Sequence, residues 1–198
     1  MTIFSFSSLY KWHNELSCTY GTDFWDRTYQ LTKGIKHENK MKWLQFQINR
    51  NSLFTNVKVC KFDSSVSALC CFCSDLDPPG NHRETISHLF YDCDIVLTLL
   101  LDVRAWLETC ETFLPLDRNK ILFGLHTDSA NSVINYVILS LKYFIWVKKQ
   151  QSQTPTLTTF KPFLKCKLDD LKDTYNYQNK DNLFCHWTVI YDNLSGQI

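Results

Sequence analysis

The chain has 198 residues, room for one or two domains with a sizeable core. Hydrophobic residues at 44% and aromatics at 15% exclude a disordered chain, and only five glycines favour long helices over a turn-rich β fold. The net charge of +1 excludes a uniformly basic or acidic protein, so any charged surface must come from local segregation.

In chain order, Met1 to Tyr10 is rich in serine, carries no basic residue and has none of the anatomy of a signal peptide. An intracellular chain, cytoplasmic or nuclear and not secreted, is therefore expected. Residues 9–32 hold Trp12, Leu16, Phe24, Trp25 and Tyr29, a pattern of short helices packed by aromatics. Lys40 to Phe54 reads as an amphipathic helix, with Met41, Leu44 and Ile48 at i, i+3 and i+7. Trp43 and Phe46 are expected to widen its apolar stripe, and Lys42 and Arg50 to lie off it. Asp77-Pro78-Pro79-Gly80-Asn81 is a loop, because two prolines and a glycine cannot continue a helix. Ile86 to Thr109 reads as one helical stretch, with Leu89, Cys93, Val96, Leu100, Val103 and Leu107 at three- and four-residue spacing, and Pro115 closes the region. Its longest apolar run, Ile95 to Leu101, is broken by Thr98 and is far short of the roughly 20 residues a membrane span needs. Asn131 to Lys149 is the clearest helix, and its apolar face is broad enough to make it central. Gln150 to Thr159 is a polar linker, Lys161 to Gln178 a further helix, and the tail carries Phe184, Trp187 and Ile190. The expected organisation is an N-terminal helical segment (1–62), a metal-binding region (63–112), a central helical segment (113–150) and a C-terminal helical tail (151–198).

Charge is segregated along this order. Lys33 to Lys61 holds seven lysines or arginines against Glu38 alone, and Lys142 to Lys167 holds six lysines and no acid. Between them, Asp75 to Asp117 holds nine acids against Arg83 and Arg104. Two readings fit: chance variation among solvated helix faces, and basic segments that touch phosphate.

The chemistry concentrates in the cysteines. With no export signal, the nine cysteines point to metal rather than to a disulfide framework. Cys70, Cys73, His88 and Cys93 form the pattern C-x2-C-x14-H-x4-C. Zinc takes four thiolate or imidazole ligands in a tetrahedron, and the Pro-Pro-Gly loop lets the chain return the second pair to the first. On a regular helix His88 and Cys93 stand about 140° out of register. The helix must therefore begin or distort between them, or Cys93 must open it. Cys71 has the wrong phase beside Cys70, and His82 falls on the loop tip, so both are rival ligands of lower rank. Cys93 on an apolar stripe also suits a plain buried thiol, and His88 a core histidine. Cys18, Cys60, Cys110, Cys166 and Cys185 are scattered, and nothing selects Cys185-His186 as a nucleophilic dyad. There is no phosphate-binding glycine loop, nucleophile elbow or H-E-x-x-H motif, and no small-molecule substrate is implied.

The run Glu84-Thr85-Ile86-Ser87-His88-Leu89-Phe90-Tyr91-Asp92-Cys93, with Cys70 and Cys73 upstream, resembles the zinc-binding region that follows the polymerase in LINE-type (non-LTR) retrotransposon reverse transcriptases. The likeness extends from about Trp12 to Trp187. It takes in Lys42 to Ile48 and Leu53 to Asn56 before the motif. After it come Ala105-Trp106-Leu107, Ile121 to Gly124, Ile134-Asn135, Lys142 to Lys149 and Pro155. The resemblance implies the same four ligands, one Zn2+ ion, and RNA or DNA of a parent element as partner. The chain departs from the pattern at Asp77-Pro78-Pro79-Gly80, which loosens the gap between the ligand pairs. The polymerase's paired aspartates after an aromatic residue are absent, since the only Asp-Asp pair, Asp169-Asp170, follows Lys167-Leu168. No enzymatic activity is expected.

The expected fold is mostly α, a bundle-like domain organised around one small Cys3His zinc knuckle. The expected function is nucleic-acid binding by an accessory region, with Lys40, Lys42, Arg50, Lys148 and Lys149 touching phosphate. The knuckle itself lies among Asp75, Asp77, Glu84, Asp92 and Asp94 and should act as a staple. Two other readings fit the same residues: a helical protein-interaction module with a structural zinc, and a decayed element fragment without function.

Overall fold

The computed structural model describes residues 6–16, 21–30, 39–74, 82–125, 131–177 and 187–196. In chain order these form α1 (Phe6–Leu16), α2 (Thr22–Gln30), α3 (Asn39–Asn49), α4 (Asn56–Val59), a π-helical turn (His88–Asp92), α5 (Asp94–Thr109), α6 (Arg118–Phe123), α7 (Ser132–Gln150), α8 (Leu157–Tyr177) and α9 (Thr188–Ser195). Among the described residues there is no strand, only an antiparallel bridge between Leu69 and Arg83. The Pro-Pro-Gly loop, Asp75, Asp77, Cys18, Cys185 and His186 lie outside the described residues.

α7 is central: twelve of its nineteen residues are buried, from Val133 to Ile145, and all but Asn135, Ser140 and Lys142 of these are apolar. α3, α8 and the π-turn pack on it. α1 is pinned to the end of α3 by the Trp12 indole N–H, which donates to the carbonyls of Ile48 (3.0 Å) and Asn49 (3.1 Å). The rings of Trp12, Phe24 and Trp25 meet Phe123 edge-on at 5.0–5.4 Å, joining α1, α2 and α6 in one aromatic cluster. α8 starts at Leu157, earlier than the polar run from Gln150 suggests, and keeps Pro162 in its first turns. Pro162 and Thr158, whose carbonyl an N–H at 162 would have bonded, are both exposed residues. Phe160, Leu164, Leu168 and Leu171 of α8 all face the core.

Three sequence expectations are corrected here. First, α3 stops at Asn49 rather than Phe54. Asn51 turns left-handed at φ 47°, and the Ser52 N–H closes back onto the Gln47 carbonyl at 2.8 Å, so the last carbonyls are capped and the helix ends. Second, Trp43 does not join the apolar stripe: it is 60% exposed, and Phe46 is only half-buried. Third, the helix expected over Ile86–Thr109 is broken at Cys93, whose backbone is extended (φ −74°, ψ 126°).

Lys142 also departs from expectation. Counted with a basic segment, it is fully buried, and its amine donates to the Gln45 side-chain carbonyl and to the Leu122 carbonyl (2.8 Å). Burial pushes it down to about 7. A neutral amine has two protons to donate, and these two acceptors take both.

Candidate metal centre

The first pair of donors is placed by a backbone clip. The Cys70 N–H donates to the His82 carbonyl (2.7 Å), and the Glu84 N–H to the Ala68 carbonyl (2.9 Å). A tight turn follows, closed by Ser74 N–H to Cys70 carbonyl (3.1 Å), and it carries Cys73 back to the side of Cys70. The Phe72 N–H lies 3.4 Å from Cys70 Sγ and donates to it. Cys71, next in sequence to Cys70, is exposed, and its side chain hydrogen-bonds to Cys70 at the edge of the cluster.

The second pair is placed by the π-turn. Thr85 Oγ1 accepts from the His88 N–H at 3.1 Å, capping the start of the helical segment. The Cys93 N–H then donates to the His88 carbonyl at 2.9 Å, a bond between residues five apart. That ring makes five residues span one turn, so His88 and Cys93 share a side that a 3.6-residue helix denies them. Cys93 then opens α5, so both remedies anticipated for the register mismatch operate together. A thiolate at this position meets the positive end of the α5 dipole.

Cys70, Cys73, His88 and Cys93 are all buried, and their donor atoms lie within 4.8 Å of one another. Cys70 and Cys93 sulfurs are 3.9 Å apart, and His88 Nε2 is 3.3 Å from Cys73 Sγ. For a tetrahedral zinc with ordinary bond lengths, sulfur–sulfur edges are about 3.8 Å and sulfur–nitrogen edges about 3.6 Å. The donor set therefore fits a Cys3His zinc ion in both chemistry and size. Burial pushes the Cys73 thiol up to about 11, and hydrogen bonding to Cys70 together with burial raises Cys93 further. Hydrogen bonds from Cys71 and Cys93 lower Cys70. Three thiolates in so small a space are compatible only around a divalent ion.

His82 belongs to this centre, although its loop position argued against it. The clip that pairs its carbonyl with Cys70 brings His82 Nδ1 to 3.3 Å from Cys73 Sγ. It stands beside the cluster and can donate a ring N–H to a metal-bound sulfur. A histidine two residues before Glu84 carried no signal of this in the sequence, because the strand-like pairing of 69–70 with 82–83 has no periodicity to read.

The acidic surroundings are less repulsive than the sequence suggests. Glu84 is fully buried, and its Oε1 accepts from Lys149 Nζ at 2.6 Å and from the Asn56 N–H at 2.8 Å. Asp92 pairs with Arg118 at 2.7 Å and accepts from the Ser87 hydroxyl at 2.6 Å. Lys149 thus points inward, with its side chain 9% exposed and a second bond to Asn56 Oδ1 at 3.0 Å. A phosphate at Lys149 would have to displace this pairing with Glu84. Lys148 donates to Gln153 at 2.7 Å beside the Phe144 ring. Lys40 is exposed, Lys42 and Arg50 are half-buried, and none of the three forms an ion pair among the described residues.

No known family model matches this chain, and no curated protein matches it either. The retrotransposon likeness therefore rests on the motif residues alone. What the structure shows is a mostly helical protein with a buried Cys3His cluster able to hold a metal ion. Among the described residues no helix is long and apolar enough to cross a membrane.

Proposed function

We propose that the chain is a zinc-stapled helical module that binds nucleic acid through its surface cations and performs no catalysis. The observation that carries the metal half is the convergence of Cys70, Cys73, His88 and Cys93 in one buried cluster of tetrahedral size. The ion is a staple in this reading, because its ligands are buried and it joins the 70–84 clip to the start of α5 and, through Glu84–Lys149, to the end of α7. The nucleic-acid half is supported by the motif's resemblance to the retrotransposon region and by Lys40 and Lys42 on the acid-free helix α3, with Arg50 just past its end. Lys148 is a minor contributor, since its place in the last turn of α7 is also what the helix dipole favours.

The test is one preparation and two measurements. Elemental analysis should find one zinc per chain. Binding to single-stranded RNA should then weaken as salt rises, each phosphate contact adding about 0.7 to the log–log slope. A Lys42→Glu, Arg50→Glu chain should keep its zinc and lose about two contacts from that slope. Metal-free protein rejects the staple; absence of salt-dependent binding by the zinc-loaded chain rejects the nucleic-acid role and favours a protein-interaction module.

A further inference from the structure

On α3 the buried residues are Met41, Leu44, Gln45, Ile48 and Asn49. The opposite face is occupied by planar groups. Trp43 and Phe46 stack with ring centroids 5.4 Å apart and planes 20° from parallel, and the Arg50 guanidinium lies 5.3 Å from the centre of the Phe46 ring. Trp43 keeps 60% of its surface in water despite its large apolar area. At 100° per residue, Lys40 stands about 60° to one side of Trp43 and Lys42 about 100° to the other. From Asn39 to Phe62 the chain carries Lys40, Lys42, Arg50, Lys58 and Lys61 and no acid, and it also exposes Phe54 and Phe62. Lys58 is the exception to an outward charge, since its amine donates to Asn51.

Trp43 presents a flat apolar ring to water on the face of α3 away from its buried residues, and the charged side chains of that helix are all cations. A planar, cation-flanked ladder matches a ligand that carries flat apolar rings on a polyanionic backbone. We infer that Trp43, Phe46 and Arg50 form a stacking platform for the bases of single-stranded nucleic acid, with Lys40 and Lys42 holding its phosphates. A duplex hides its base faces, so the platform selects single strands; every base has such a face, so it selects no sequence. This inference rests on the nucleic-acid reading above and adds to it the strandedness and the contact that a salt slope cannot report.

The experiment uses the full zinc-loaded chain and two probes of equal length, an oligothymidylate of about 20 nucleotides and the same phosphodiester strand lacking bases. Wild type should bind the oligothymidylate about tenfold or more tighter than the base-free strand. Trp43→Ala should bring the two affinities together while leaving the salt slope, zinc content and Tm unchanged; Trp43→Tyr, which keeps a ring, should retain most of the preference. Lys42→Glu should weaken both probes alike. Equal wild-type affinity for the two probes, with a normal salt slope, overturns the platform and leaves the nucleic-acid reading standing. No binding of either probe overturns both. Self-association that disappears in Trp43→Ala, without a preference for the base-bearing strand, assigns the face to a protein contact and overturns the platform.

Discussion

At the scale of single residues, the donors around the proposed zinc divide by distance. His88 is in the cluster, His82 reaches its Cys73 edge, and Cys71 is exposed beside Cys70. His88→Ala should therefore abolish stoichiometric zinc, whereas His82→Ala should keep one zinc per chain but weaken its retention about 10- to 100-fold in a chelator competition. Cys71→Ser should bind as wild type; if it loses the metal, the assignment of phase in the Cys70–Cys73 turn is wrong. Lys142 makes a prediction of a different kind. Its folded value near 7 lies below the unfolded 10.5, so between those pH values the unfolded chain holds the extra proton and stability rises with pH. Across that window wild type should gain on Lys142→Met by up to about 1.4 kcal/mol per pH unit, and below pH 7 the two should run parallel. Denaturant unfolding of both proteins at pH 6, 8 and 10 checks it, and parallel curves throughout would show that the buried amine stays charged. Nothing in the sequence distinguished Lys142 and Lys149 from solvated lysines, because burial depends on partners up to 97 positions away, such as Gln45. The same blindness applied to Trp43: an apolar residue type was legible, and the absence of anything to cover it was not.

At the scale of elements, long amphipathic segments were readable and irregular ones were not. α3, α7 and α8 announce themselves through apolar spacing, which picks out buried Met41, Leu44, Ile48, Ile138, Leu164 and Leu168 but not the buried polar Gln45, Asn49 and Ser140. The four-residue α4 and six-residue α6 are too short for periodicity to register. The π-turn was legible only as a contradiction: a zinc-type spacing and a helical stripe disagreed about Cys93, and the backbone satisfies both by widening one turn and then breaking. The Glu84–Lys149 pair joins two elements and is nearly dry, so its partners are unequal to any surface pair. Lys149→Met strands a buried carboxylate and should cost about 3–5 kcal/mol in denaturant unfolding. Adding Glu84→Gln should recover most of that loss. If Lys149→Met is neutral in stability but lowers the salt slope of RNA binding, Lys149 is a phosphate contact after all.

At the scale of the whole molecule, buried side chains from Trp12 to Ile190 form one continuous core that includes the three cluster cysteines. Metal removal should therefore be felt far from the site: chelation should lower the thermal midpoint and expose apolar dye-binding surface, and a midpoint indifferent to chelator would detach the cluster from the fold. A second consequence concerns time rather than stability. All four cluster residues lie within a span of 23 positions, whereas the Gln45–Lys142 contact spans 97. The chain-entropy cost of the shorter closure is smaller by about 1 kcal/mol. During synthesis Cys93 also precedes Lys142 by 49 residues, most of the distance to the end of α7. The Cys3His unit can thus close on its ion while the central helix is still unmade, handing the ribosome-bound chain a finished clip onto which α7 later docks.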